Sequence, residues 1–342
     1  MVRRNAMEKF KPGVHKMETV IKRILVVFAA AVLFPAAAGV ADTYRLEKDG
    51  QLRVIDSNDK FAVAAANIKK LGQEGKTGEL KKALADLKGD FPEIAGAEYD
   101  AFTKAELQFA AGKYEKAFKS YEKFLNRFSE SRFYPAALDR EFAIGMAYLQ
   151  GRKKRVLGIF RISGFDEGAK VMEKIADRSG DLPIAIKALV SVAEAYEKKK
   201  MFEEAYQQWS LVSGRWPGGE TGRDALLAMA RCQHALYRGP YYDSSCLLSA
   251  KGYYERFKLV YPEDAKSLDI DQRLKLIDEQ MAYKKYNIGK YYQRTQDKKS
   301  VVEGVSPASL YYDMVVHDWP ESKAAELAKT AAAGNEKPKG GK

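Results

Sequence analysis

Five times along the chain a helical pattern ends on an aromatic residue in the same phase: Phe91-Pro92, Phe128-Ser129, Trp216-Pro217, Tyr261-Pro262 and Trp319-Pro320, with Ser in the Pro slot of the second copy. Proline stops a helix because it lacks an N–H and bends the residue before it away from helical geometry. Twelve residues before the Pro slot stand Leu80, Ala117, Ala205, Ala250 and Ala308; eight before it stand Leu84, Tyr121, Trp209, Tyr254 and Tyr312. A spacing of four places both slots on one helix face. The small residues let two backbones approach, and the large ones fill the gap beside them. Unrelated helices in a bundle would not keep this phase five times. Each helix pair has an apolar face it cannot bury alone, so the pairs must stack.

The copy from Glu98 to Ser131, EYDAFTKAELQFAAGKYEKAFKSYEKFLNRFSES, spans 34 residues. Ala105 is small in mid-helix, Gly112 breaks the chain, and Ala117, Tyr121 and Phe124 share one face of the second helix. Period and pattern match the tetratricopeptide repeat, TPR. The predicted fold is all-α: a right-handed superhelical array of five to six TPR-like helical hairpins, preceded by a short extended arm or β-hairpin.

The segments follow in order. Residues 1–41 read as an export signal: Lys22 and Arg23 precede the apolar run ILVVFAAAVLF, Pro35 breaks it, and small residues up to Ala41 suit a signal peptidase. No Cys lies near that cut, so nothing in the sequence supports a lipid anchor. Residues 42–60 form the arm, with Asp49-Gly50 as a hairpin turn. Residues 61–180 hold the N-terminal repeats and 181–332 the C-terminal ones. Ala324 to Ala333 is expected to be a closing helix, and 333–342 a solvated tail.

The formal charge is +12 over 342 residues, an excess that suits an anionic neighbour or a solvated surface alike. Part of it sits in the insertion RKKRVLGIFRISG of the third hairpin, where Arg152, Lys153, Lys154, Arg155 and Arg161 alternate with apolar residues. Such a segment either docks on an anionic membrane surface or folds its apolar residues onto the next repeat. The lengthened turn YRGPYYDSSC of the fifth hairpin gathers Tyr237, Tyr241 and Tyr242, either as a ligand platform or as packing under a long loop. Cys232 and Cys246 either form a disulfide, worth about 3 kcal/mol in the chain-entropy model, or remain free buried thiols.

Catalytic motifs are absent from the sequence, and no cofactor is expected. The histidines His15, His234 and His317 have no paired metal-ligand spacing. The expected activity is binding without chemistry. In a stacked array the first helices of successive pairs line one side, which places Tyr99, Phe102, Phe109 and Tyr148 there as partner-binding anchors, or as rings packed between repeats.

The leader, the hairpins, the endings YEKFLNRFSES, YYERFKLVYPED and YYDMVVHDWPES, and the helix MAYKKYNIGKYYQRT together resemble the BamD family, the TPR lipoprotein component of the outer-membrane β-barrel assembly machinery. The resemblance covers residues 61–332. It implies a periplasmic scaffold at the outer membrane whose partners are β-barrel assembly proteins and unfolded outer-membrane proteins, with no nucleic acid. The chain departs from that family in lacking the lipobox cysteine and in its enlarged third and fifth hairpins. The TPR protein associated with the Tol-Pal system is the nearest alternative.

Overall fold

A computed structural model describes residues 44–46, 52–54, 60–156, 160–295 and 306–335. Residues 1–41, expected to be an export signal, and the last seven residues lie outside the described residues. The chain divides into two units, Met1–Asn67 and Ile68–Lys342. In the first, β1 (Tyr44–Leu46) pairs antiparallel with β2 (Leu52–Val54), Arg45 opposite Arg53, as an arm with hairpin pairing requires; the expected Asp49-Gly50 turn lies outside the described residues.

Helices α1 (Lys60–Gln73) and α2 (Thr77–Asp90) come next, then a 3-10 turn (Pro92–Ile94). Five more hairpins follow: α3 (Ala97–Ala110) with α4 (Tyr114–Arg127), α5 (Tyr134–Leu149) with α6 (Phe165–Ser179), α7 (Pro183–Lys198) with α8 (Phe202–Arg215), α9 (Gly219–Ala235) with α10 (Ser245–Val260), and α12 (Ile270–Thr295) with α13 (Pro307–Asp318). The short α11 (Pro262–Ser267) links the last two, and α14 (Lys323–Asn335) packs on both α12 and α13. This closing helix runs two residues past its expected end. From α3 to α10 each helix packs on the next, and α5 also touches α7. The second unit is thus an array of TPR-like hairpins, and it runs without a break through residue 180.

The phase seen in the sequence is a phase in the backbone. Phe91, Phe128, Trp216, Tyr261 and Trp319 each sit just past a helix end with φ between −135° and −127° and ψ between 60° and 75°. Each donates its N–H to the carbonyl four residues back, closing the last helical turn while the chain already leaves the axis. All ten residues of the small and large slots are buried. A fully buried side chain of the larger kind contributes about 1.5–3 kcal/mol by removal from water. The inter-helix turns are in phase too. Gly75, Gly112 and Lys200 each stand nine residues before the large slot, with φ of +72°, +67° and +61°. Glycine suits that left-handed turn, whereas Lys200 adopts it at a steric cost.

Candidate protein-docking surface

The four rings expected on the docking side are in the core. Tyr99, Phe102, Phe109 and Tyr148 are all buried. The Tyr99 hydroxyl donates to the Leu84 carbonyl at 2.5 Å. Phe102 stacks on Phe133 at 4.9 Å between ring centres and lies 5.8 Å from Phe124. Phe109 stacks on Tyr114 at 5.1 Å. Tyr148 lies so close to Gly164 that a Cβ there would stand 2.3 Å from its ring. The side of the array was inferred from helix periodicity, which gives a residue's face but not what covers it. Phe133, on the link between the second and third hairpins, covers Tyr99 and Phe102.

What joins these repeats is a charge clasp. Glu106 on α3 accepts from the Tyr121 hydroxyl at 2.6 Å and from Arg140 on α5 at 2.8 and 2.7 Å. The Arg140 Nη2 also donates to the Lys69 carbonyl at 3.1 Å, and its guanidinium lies 4.7 Å from the Phe109 ring centre. The pair is nearly dry, with side chains 4% and 1% exposed. Burial pulls the Arg140 pKa down, but the hydrogen bonds and charge of Glu106 outweigh it and the net direction is up. Burial, then the Glu106 charge, pushes the Tyr121 phenol well above its ordinary range.

A second clasp repeats the plan in the fourth and fifth hairpins. Glu197 on α7 accepts from the Trp209 indole at 2.6 Å and from Arg231 on α9 at 3.0 and 2.8 Å. In both clasps Glu and Arg stand 34 residues apart, one repeat period. The ring in the large slot of one hairpin thus anchors an acid that the next hairpin's first helix grips. A third acid, Glu141, is buried beside Arg178 at 3.0 Å. Burial raises its pKa to about 7, with Arg178 opposing.

The basic insertion is a β-hairpin, β3 (Lys153–Val156) with β4 (Phe160–Ser163), Arg155 opposite Arg161. Its middle, residues 157–159, lies outside the described residues. Two of its cations are engaged by the protein itself, although Arg152 remains exposed. Arg152 lies 3.8 Å from the Tyr114 ring centre and donates to the Gly112 carbonyl at 2.9 Å, and Lys154 pairs with Glu167 at 2.7 Å. Lys153 is exposed. Beside the insertion a cleft of about 200 Å³ is lined by carboxylates and lysines. Its Glu115 meets Lys119 at 3.4 Å, Glu122 meets Lys174, and Glu167 meets Lys154. Each acid is neutralised by its own cation, which is the arrangement of an ion-paired surface.

Cys232 and Cys246 are free thiols, not a disulfide. Cys232 is sealed inside the fourth and fifth hairpins' core, where burial and the Glu197 charge push its pKa up to about 12, so it holds its proton and is inert. Among the described residues no group of three or more His, Cys, Asp and Glu is placed to hold a metal. No described helix is long and apolar enough to cross a membrane.

The tyrosines of the fifth hairpin's turn divide between the two readings. Tyr237 packs against the core, whereas Tyr241 is 84% exposed and Tyr242 also faces solvent. Lys284 on α12 donates to the Tyr242 carbonyl, and His234 on α9 bonds Gln280 on α12 at 2.9 Å, so turn and helix form one surface. Periodicity had not marked α12 as a surface, although its stretch 281–295 contains four tyrosines, four cations and no acid.

No family model and no curated protein matches the chain. Among solved structures, the Q17M form of a Podosopora anserina chain of nearly identical TPR-like repeats is 14% identical, with a TM-score of 0.34 over 61% of this chain and 97% of that one. The C-terminal part of a TPR repeat-containing protein from Cytophaga hutchinsonii is 17% identical, with a TM-score of 0.21 over 79% of this chain and 99% of that one.

Proposed function

We propose that the chain is a non-catalytic scaffold that binds other proteins, exported to the periplasm and working with the outer-membrane β-barrel assembly machinery in the manner of the BamD family. The observation that carries the scaffold reading is the array itself. Five helix ends share one backbone geometry and one ladder of buried slots, which stacks the hairpins one on the next as a docking scaffold requires. The export-type leader and the resemblance of the repeat endings support the periplasmic and outer-membrane part. Arg152 and Lys154 are both engaged by the protein itself, though Arg152 and Lys153 are exposed, so membrane contact by this insertion is proposed as peripheral only.

Because Phe102 and Phe109 are core rings, their replacement would unfold the second hairpin rather than test a groove. The test is co-purification of the tagged full chain from detergent-solubilised envelopes. Recovery of a β-barrel insertase with attached soluble domains is the expected result. Recovery of Tol or wall-synthesis proteins would move the chain to the alternative adaptor role, and a cytoplasmic location would overturn both.

A further inference from the structure

We infer that the tyrosine- and lysine-bearing face of α12, with Tyr241 and Tyr242 beside it, is the site where the scaffold takes an extended acidic segment of a partner protein. This deepens the scaffold reading and rests on it. Leu276, Tyr283, Lys290 and Arg294 follow one another at helical spacing and are all exposed. Tyr291, 62% exposed, and Lys284 stand on the flank nearest the turn. Two exposed tyrosines and an exposed leucine on one folded helix face, with two more tyrosines alongside, give the aromatic density of a protein interface.

Charge names the occupant. Among the described residues Lys284, Lys290 and Arg294 have no carboxylate partner within ion-pair distance. Acids on the neighbouring segments have other partners, although Asp243 also feels the Lys284 charge. Asp278 pairs with Lys251 at 2.7 Å, Glu279 accepts the Lys323 backbone N–H at 3.0 Å, and Asp243 accepts the Ser245 N–H at 3.0 Å. The face therefore presents cations and phenol hydroxyls together, which complement carboxylates set among apolar side chains. A lipid bilayer fits less well, since insertion draws on apolar area and this face has a single aliphatic side chain.

The experiment uses the full mature chain and a fluorescein-labelled peptide of Asp, Glu, Phe and Gly, beside a counterpart with Lys for every acid, followed by anisotropy. The acidic peptide should bind and the lysine peptide should not. The triple variant Lys284→Glu, Lys290→Glu, Arg294→Glu should weaken the acidic peptide at least about tenfold and gain the lysine one, while Tyr291→Ala weakens it severalfold. Tyr291, Lys290 and Arg294 are exposed and Lys284 is half-buried with only a backbone carbonyl as partner, so the circular dichroism should not change. No binding, equal binding by the variants, dimerisation through this face, or capture by phosphatidylglycerol vesicles in place of the peptide would overturn the assignment. If the triple variant still recovers the wild-type partners from envelopes, this face is not the site and the scaffold reading stands. If the wild-type chain recovers none, the scaffold reading itself falls.

Discussion

The two clasps use the same parts at the same 34-residue interval in different surroundings. Glu106 and Arg140 are 1% and 4% exposed, while Glu197 and Arg231 are 17% and 43% exposed. In the dry clasp the partners have no water to fall back on, so each is stable only because the other is present. In the wet clasp solvent can replace a lost partner. One arrangement thus holds its repeats in register as a condition of folding, and the other merely biases them.

The sharpest way to break this contrast is Arg140→Met, which strands the Glu106 carboxylate in the core and should cost about 3–5 kcal/mol in urea unfolding. The double variant Arg140→Met, Glu106→Leu should recover most of that, and if it does not, the clasp is contributing more than charge balance. Next comes Glu141. Its folded pKa lies above the ordinary 4.5, at about 7, so the folded state holds a proton that the unfolded chain releases. The resulting stability is fully present below about pH 4.5 and is lost as pH rises through about 7, a change on the order of 3 kcal/mol. Melting curves across that range should show the decline in the wild type and a flat line in Glu141→Gln. Smaller again is the difference between equivalent tyrosines. Tyr121→Phe removes a hydrogen bond to a buried carboxylate and should cost about 1.5–3 kcal/mol. Tyr254 fills the same slot, but its hydroxyl makes no well-formed hydrogen bond among the described residues, Arg273 being the nearby cation that influences it, so Tyr254→Phe should be close to neutral. Among the clasp variants the smallest effect is expected from Arg231→Met in the wet clasp, about 1 kcal/mol or less. A loss as large as that of Arg140→Met would erase the distinction.

The ladder of Leu80, Ala117, Ala205, Ala250 and Ala308 and its larger partners was legible because one backbone conformation recurs and forces one residue pattern. The destination of Tyr99 and Phe102 was not, because their cover comes from Phe133 on the following link, outside the pattern of either helix. The clasps did leave a trace. A Glu and an Arg one full period apart on successive first helices occur twice, at 106/140 and at 197/231. Each is unremarkable alone, and only the repeat period gives the pairing meaning. The strand pairing within the basic insertion was hidden for another reason: four-residue strands with mixed charge carry too little alternation to announce themselves. The α12 surface was legible in composition, as a run without acids, but its exposure depended on which neighbours happened to pack there.

The dry clasp also sets where this protein can be cut. A fragment ending after Arg127 keeps the Glu106 carboxylate and loses its counterion, and one beginning at Tyr134 inherits a guanidinium shaped to fit nothing. Shortened versions for crystallography or binding assays should therefore keep residues 97–179 whole, because at this seam the piece that carries both halves of the ion pair is two hairpins, and a single hairpin is half an object.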